Sequence, residues 1–311
     1  MSHGPGNALR EVGVARRGHD SAPFPGPVFT QTSEASRENG SSEITNDDGD
    51  HDMSLMEQVQ SGRTLTPRRV LLYGTHGIGK STFGAMADAP IFVQTEDGLA
   101  HIDCQRLPLA TRYGDVLAAL GELYTQPHEY RTLVLDSLDW LERLIWTDVC
   151  EKRSVENIED IGYGKGYVFA LTQWREILQG LDALRNERGM TIILIAHAQI
   201  ERFANPETDT YDRYSPRLQK LASALVQEWC DEVLFATYRV HTKTTKESFD
   251  RTRVQGIGQG ERIIRTTERP AHVAKNRLGL PDELSLDYRL FAAYVRGEQP
   301  NANAEPAIQG A

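Results

Sequence analysis

The chain has 311 residues, 39% of them hydrophobic and 25% charged, with 44 acidic side chains against 34 basic ones. This composition suits a soluble globular protein, and a net charge of −10 argues against one that coats nucleic acid by bulk electrostatics alone. No run approaches the roughly 18–20 apolar residues of a membrane span, the first residues lack an apolar signal-peptide core, and the three scattered cysteines, Cys104, Cys150 and Cys230, fit reduced thiols in a cytoplasmic protein.

Residues 1–52 hold nine acidic residues, four Arg and no Lys, and are rich in Ser, Gly, Asn and Pro. Without helical or strand period, they predict a disordered acidic tail. One folded domain is expected over 53–296, with Met53 a candidate translation start, and 297–311 reads as a second loose tail.

The first strand is expected at 69–73 and the first helix at 81–87. Between them Gly74-Thr75-His76-Gly77-Ile78-Gly79-Lys80-Ser81 fits G-x-x-x-x-G-K-[ST] without exception. In a strand–loop–helix context that pattern is a phosphate cradle. Glycines let several backbone N–H groups converge on an anion. Lys80 then places a charge on the β- and γ-phosphates, and the Ser81 hydroxyl ligates Mg²⁺. Residues 74–82 (Gly74 to Ser81 and then Thr82) are the candidate nucleotide contacts.

Apolar runs then alternate with helical patterns. Strands are expected at 90–96, Thr132–Asp136, 191–196 and 232–238, and helices at 113–124, 139–152, 167–188 and 218–228. Strands that are apolar throughout and separated by helices indicate a parallel sheet covered on both faces, a doubly wound α/β fold. Beyond them Gly256-Ile257-Gly258-Gln259-Gly260 suggests the tip of a C-terminal β-hairpin. Ligands of such sheets sit at the carboxyl ends of the strands.

Three polar groups end strands there. Asp136 suits a Mg²⁺ ligand beside Ser81, or a helix cap. Glu96 can position an attacking water near the γ-phosphate, or be a solvated turn acid. His197 can sense the γ-phosphate, as could Gln199, or serve as a structural hydrogen-bonder. Farther on, Lys275 and Arg277 lie two residues apart in a stretch, 239–277, with ten Lys or Arg against four acids. Set against a neighbouring subunit's nucleotide they would neutralise transition-state charge; otherwise they belong to a solvated basic face.

These motifs in this order resemble the RecA-like P-loop ATPase core, and more closely the phage-type RecA-like NTPases of single-strand annealing and recombination. The resemblance spans about 69–281. It implies ATP and Mg²⁺ as cofactors, Glu96 as the catalytic glutamate, and a ring or filament in which Lys275 and Arg277 act in trans. It also implies single-stranded DNA as partner, with 154–166 and 199–216 where such proteins carry DNA-contacting loops. Neither segment is net positive, which phosphate-backbone binding would favour, although Tyr163, Tyr167, Tyr211 and Tyr214 could stack on bases. A nucleotide-gated DNA-binding or scaffolding module and an AAA- or terminase-type motor are the rivals. The motor would want an acidic pair where Asp136 is followed by Ser137.

Overall fold

The computed structural model describes residues 66–298 except 249 and 250, together with residues 56, 59, 61, 62 and 64, and gives only the backbone over 241–248 and 251–259. The expected tail over 1–52, the start at Met53 and residues 299–311 lie outside the described residues.

The apolar runs become strands Arg69–Gly74 (β1), Pro90–Gln94 (β2), Thr132–Asp136 (β4) and Thr191–Phe203 (β5). The last begins the hairpin of β5 with Tyr211–Pro216 (β6). Glu232–Ser248 (β7) and Arg251–Arg265 (β8) form a second hairpin, and short strands Gln105–Arg106 (β3), Lys275–Asn276 (β9) and Glu283–Ser285 (β10) lie on the sheet margins. The sheet runs β10-β8-β7-β1-β5-β4-β2-β3, parallel from β7 to β3 and antiparallel at the hairpin end. The fold is therefore the expected α/β P-loop core with a mostly parallel sheet.

Helices Lys80–Ala85 (α1) and Tyr288–Val295 (α6) cover one face, where Phe83, Tyr288 and Phe291 pack on Val70, Leu72, Phe92, Val134 and Ile193. The alternate residues Leu71, Leu133, Leu135, Ile192 and Leu194 are also fully buried, since side chains alternate across a strand. Leu138–Arg153 (α3) and Lys165–Glu187 (α4) pack on β5 and bring Leu141, Ile145, Trp174 and Ile177 into the interior. Tyr113–Thr125 (α2) and Lys220–Trp229 (α5) pack on α4. Each fully buried aliphatic side chain contributes about 1.5–3 kcal/mol, so this two-sided core dominates the fold's stability.

The register aligns the carboxyl ends. Gly74 of β1 faces His197 of β5 and Ala236 of β7, while Asp136 of β4 faces Gln94 of β2 and Ile195 of β5. A Cβ on Gly74 would lie 2.3 Å from the Ala236 carbonyl oxygen, so only glycine fits there. A Cβ on Gly84 would lie 2.9 Å from Val134 Cγ1, so its absence lets α1 sit close on β4.

Two segments differ from expectation. The glycines at 256–260 are not a hairpin tip: 251–265 is strand, and the β7–β8 ladder runs out to the pair Ser248 and Arg251. Gly256 and Gly258 pair with Thr242 and Val240 in the ladder, and Gly260 falls in a β-bulge. Tyr238 pairs with Arg262 and Val240 with Gly258, so three residues of β8 oppose one of β7, and Gly260 has φ +76°. Segment 199–216, expected as a loop, is largely the β5–β6 hairpin, with 204–210 as its turn. Segment 154–166 holds a single 3₁₀ turn, Ile158–Ile161, followed by a fully exposed Tyr163.

Candidate active site

The phosphate loop leaves β1 at Gly74 and enters α1 at Lys80. Gly77 and Gly79 have φ of +69° and +106°, a conformation L-residues with side chains rarely adopt. Thr75, His76 and Gly77 are exposed, while Ile78 is fully buried and anchors the loop in the core. Lys80 folds back under it, donating to the Gly74 and Thr75 carbonyl oxygens at 3.2 and 3.0 Å. Burial lowers the ammonium's pKa, an effect that the Asp136, Asp139 and Glu96 charges oppose. A buried cation beneath a glycine loop is a strong seat for phosphate.

The Ser81 hydroxyl donates to Asp136 Oδ2 at 2.6 Å, so the two predicted Mg²⁺ ligands touch. Asp136 Oδ2 therefore faces the end of the phosphate loop, and Ser137, not Asp136, is the N-cap residue of α3. Burial raises its pKa, while the Ser81 hydrogen bond and Lys80 act against that. Such a buried carboxylate gains from a cation beside it. One carboxylate and one hydroxyl, both hard oxygen donors, fit Mg²⁺, which binds few protein ligands and keeps water and phosphate oxygens. Among the described residues no group of three or more His, Cys, Asp or Glu could hold a metal ion by itself.

Glu96 follows β2, tied to the β4 end through Thr95. The Thr95 amide donates to the Asp136 carbonyl oxygen at 2.8 Å and its hydroxyl to the Ser137 carbonyl oxygen at 2.7 Å. The Asp136–Ser137 peptide bond is cis. Ser137 Oγ in turn donates to Glu96 Oε2 at 3.1 Å. The residue next to Asp136 is thus not a second acid but a hydroxyl that holds one from the neighbouring strand.

His197 ends the sheet portion of β5. Its Nδ1 lies 3.0 Å from Asp139 Oδ2 and its amide donates to Asp139 Oδ1 at 3.1 Å. Arg217 also donates to Asp139 Oδ2, at 2.5 Å. Burial disfavours the Asp139 carboxylate, but the His197 and Arg217 hydrogen bonds outweigh it and hold its pKa well below the usual range. Gln199 turns away, donating to the Pro216 carbonyl oxygen at 3.2 Å.

A cavity of about 450 Å³ joins these groups, a size suited to a nucleotide. Lys80, Ser81, Thr82, Asp136, Glu96 and His197 line it, with His76, Gly77 and Gly79 from the loop. Gly98, His101, Ile102 and Arg262 complete the wall and had no motif to announce them. Asp139 and Arg217 were also missed as partners of His197. The spacing of Asp139 three residues past Asp136 is the signal that the sequence offers.

Lys275 and Arg277 lie outside this wall. The Lys275 ammonium donates to the Gln227, Glu228 and Cys230 carbonyl oxygens, closing the C-terminal end of α5. Arg277 sits 3.5 Å from Asp231 Oδ1 and is more than half exposed.

A family model described as an AAA domain matches residues 66–278, more than half of the chain. The SPbeta prophage-derived uncharacterized protein YorG of Bacillus subtilis (strain 168) is 25% identical over 152 residues, 47% of this chain and 44% of that protein. The matched part is thus less than half of that relative's length. Among solved structures, the RadB recombinase covers 67% of this chain and 86% of its own, at 12% identity and a TM-score of 0.37. No helix among the described residues is long and apolar enough to cross a membrane.

Proposed function

The chain belongs to the AAA domain family, and we propose that it hydrolyses ATP with Mg²⁺ in an oligomer that works on single-stranded DNA. The observation that carries the hydrolysis is the Ser81–Asp136 contact of 2.6 Å, above the buried Lys80 and across one cavity from Glu96. Those residues supply the parts of phosphoryl transfer to water. Glycine-loop amides and Lys80 hold the β- and γ-phosphates. Ser81 and Asp136 hold Mg²⁺, which when bound neutralises charge developing on the phosphate oxygens. Glu96, steadied by the Ser137 hydroxyl, orients the water and takes its proton. His197 stands where it can respond to loss of the γ-phosphate.

The DNA part rests on the resemblance to phage-type RecA-like recombination NTPases and on fully exposed Tyr163, available for base stacking. A ring or filament would bring Arg277 of one subunit toward the nucleotide of the next. The test is an ATPase assay with a single-stranded DNA titration, run with and without Mg²⁺ on wild type and Lys80→Ala. The reading expects Mg²⁺-dependent turnover stimulated by DNA and abolished in the variant. Normal hydrolysis by Lys80→Ala would refute the site; tight ATP binding without turnover would favour a nucleotide-gated binding module.

A further inference from the structure

We propose that Arg262 is a phosphate ligand supplied in cis, gripping the α/β portion of the bound nucleotide from the side of the phosphate loop opposite Glu96 and Asp136. This rests on the reading that the cavity takes a nucleoside polyphosphate. Arg262 lines that cavity from β8. Its Nη1 lies 3.2 Å from where a Cβ on Gly79 would sit, so the guanidinium abuts the loop residue just before Lys80.

The sheet order fixes which end of the nucleotide it meets. β7 and β8 lie on one side of β1, while β5, β4 and β2, which lead to His197, Asp136 and Glu96, lie on the other. The γ-phosphate chemistry belongs to the second side. A cation from the first side therefore serves the phosphates nearer the nucleoside.

The local backbone is built to deliver this side chain. The bulge at 259–261 immediately precedes Arg262, and bulges re-aim the side chains beside them. The Arg262 carbonyl oxygen accepts from the Leu286 amide at 3.0 Å, holding the strand against the following segment. Neighbouring arginines are occupied: Arg239 pairs with Glu261 and Glu283, and Arg265 lies near Glu283. The Arg262 guanidinium has no ion pair or hydrogen bond among the described residues, so its donors remain for an anion, which guanidinium recognises by paired N–H groups.

The experiment measures binding of fluorescent ADP and ATP analogues, and saturating ATPase rate, for wild type, Arg262→Ala and Arg262→Lys, with thermal melting as a folding control. Arg262→Ala is expected to weaken ADP and ATP by the same factor, about tenfold, the scale of one charge-assisted hydrogen bond. Arg262→Lys should recover part of that, and the saturating rate should stay within about twofold, as expected when only uniform binding is lost. Unchanged affinities in a folded Arg262→Ala overturn the inference. A loss confined to ATP, or a lower saturating rate at unchanged affinity, overturns the α/β placement. Wild type that binds no nucleotide would instead sink the underlying reading.

Discussion

His76 of the phosphate loop lies against His197 of β5, ring centroids 4.0 Å apart and planes 27° apart. The stack joins the exposed rim of the loop to a residue whose other side is held by Asp139 and Arg217. The charge on His197, and then partial burial, lower the His76 pKa. Replacing His197 by Gln removes the larger cause, so His76 should titrate at higher pH than in wild type. Histidine-ring NMR across the titration measures this, and an unmoved His76 would show that the two rings are not coupled.

Glu96→Gln keeps the size of the side chain and its ability to accept from Ser137, but removes the base. Under the proposed chemistry, turnover should fall by about 10² or more, the usual scale of general-base loss. ATP affinity should stay within a few-fold. A variant with wild-type turnover would leave Glu96 a solvated turn acid.

Gly74→Ala drives a methyl group into the Ala236 carbonyl oxygen, a backbone atom that cannot swing aside. Overpacking of this kind costs about 1–3 kcal/mol. The urea midpoint of the variant should drop accordingly, with nucleotide affinity falling because β1 and β7 must part where the loop begins. An unchanged midpoint would mean that the strands yield without cost.

Glu142, on α3, is buried against the first turn before α5, where it accepts from the Gln219 amide at 3.0 Å. Burial pushes its pKa up to about 7, with the Gln219 hydrogen bond opposing and Asp139 adding to the rise. The folded state thus holds a proton that the unfolded chain releases near the ordinary glutamate value. Stability from this group is present below that value and is lost as pH rises toward 7. Glu142→Gln should match wild type near pH 4.5 and exceed it at pH 8. The gain should be on the order of 3 kcal/mol, from about 1.4 kcal/mol per pKa unit over the rise from 4.5 to about 7. Urea unfolding at both pH values checks the sign, and a Gln variant less stable than wild type at pH 8 would contradict it.

The parallel core was legible because buried strands such as Leu133-Val134-Leu135 are apolar on both faces and end in the polar groups of the site. The phosphate loop was legible because its chemistry is local, with every participant within eight residues. Arg262 was not, since its approach to Gly79 depends on β8 pairing with β7 and on β7 pairing with β1 across 162 positions, a contact that no period records. The β8 strand itself is rich in Gly, Arg and Gln, so its composition pointed to a turn. Helix α6 was missed despite a readable signal. Asp287 caps it by accepting from the Arg289 amide, and Tyr288, Phe291 and Ala292 follow at helical spacing.

Gly84 carries no chemistry, yet it sets how near the helix bearing Ser81 can come to the strand bearing Asp136. Under the proposed chemistry, the span across which a divalent ion would be clasped is therefore governed from a position one turn along the helix, by the missing methyl group. Enlarging that residue would widen the clasp without altering either of its jaws. Drift at a plain packing site could thus retune ion preference while every recognisable motif stayed intact.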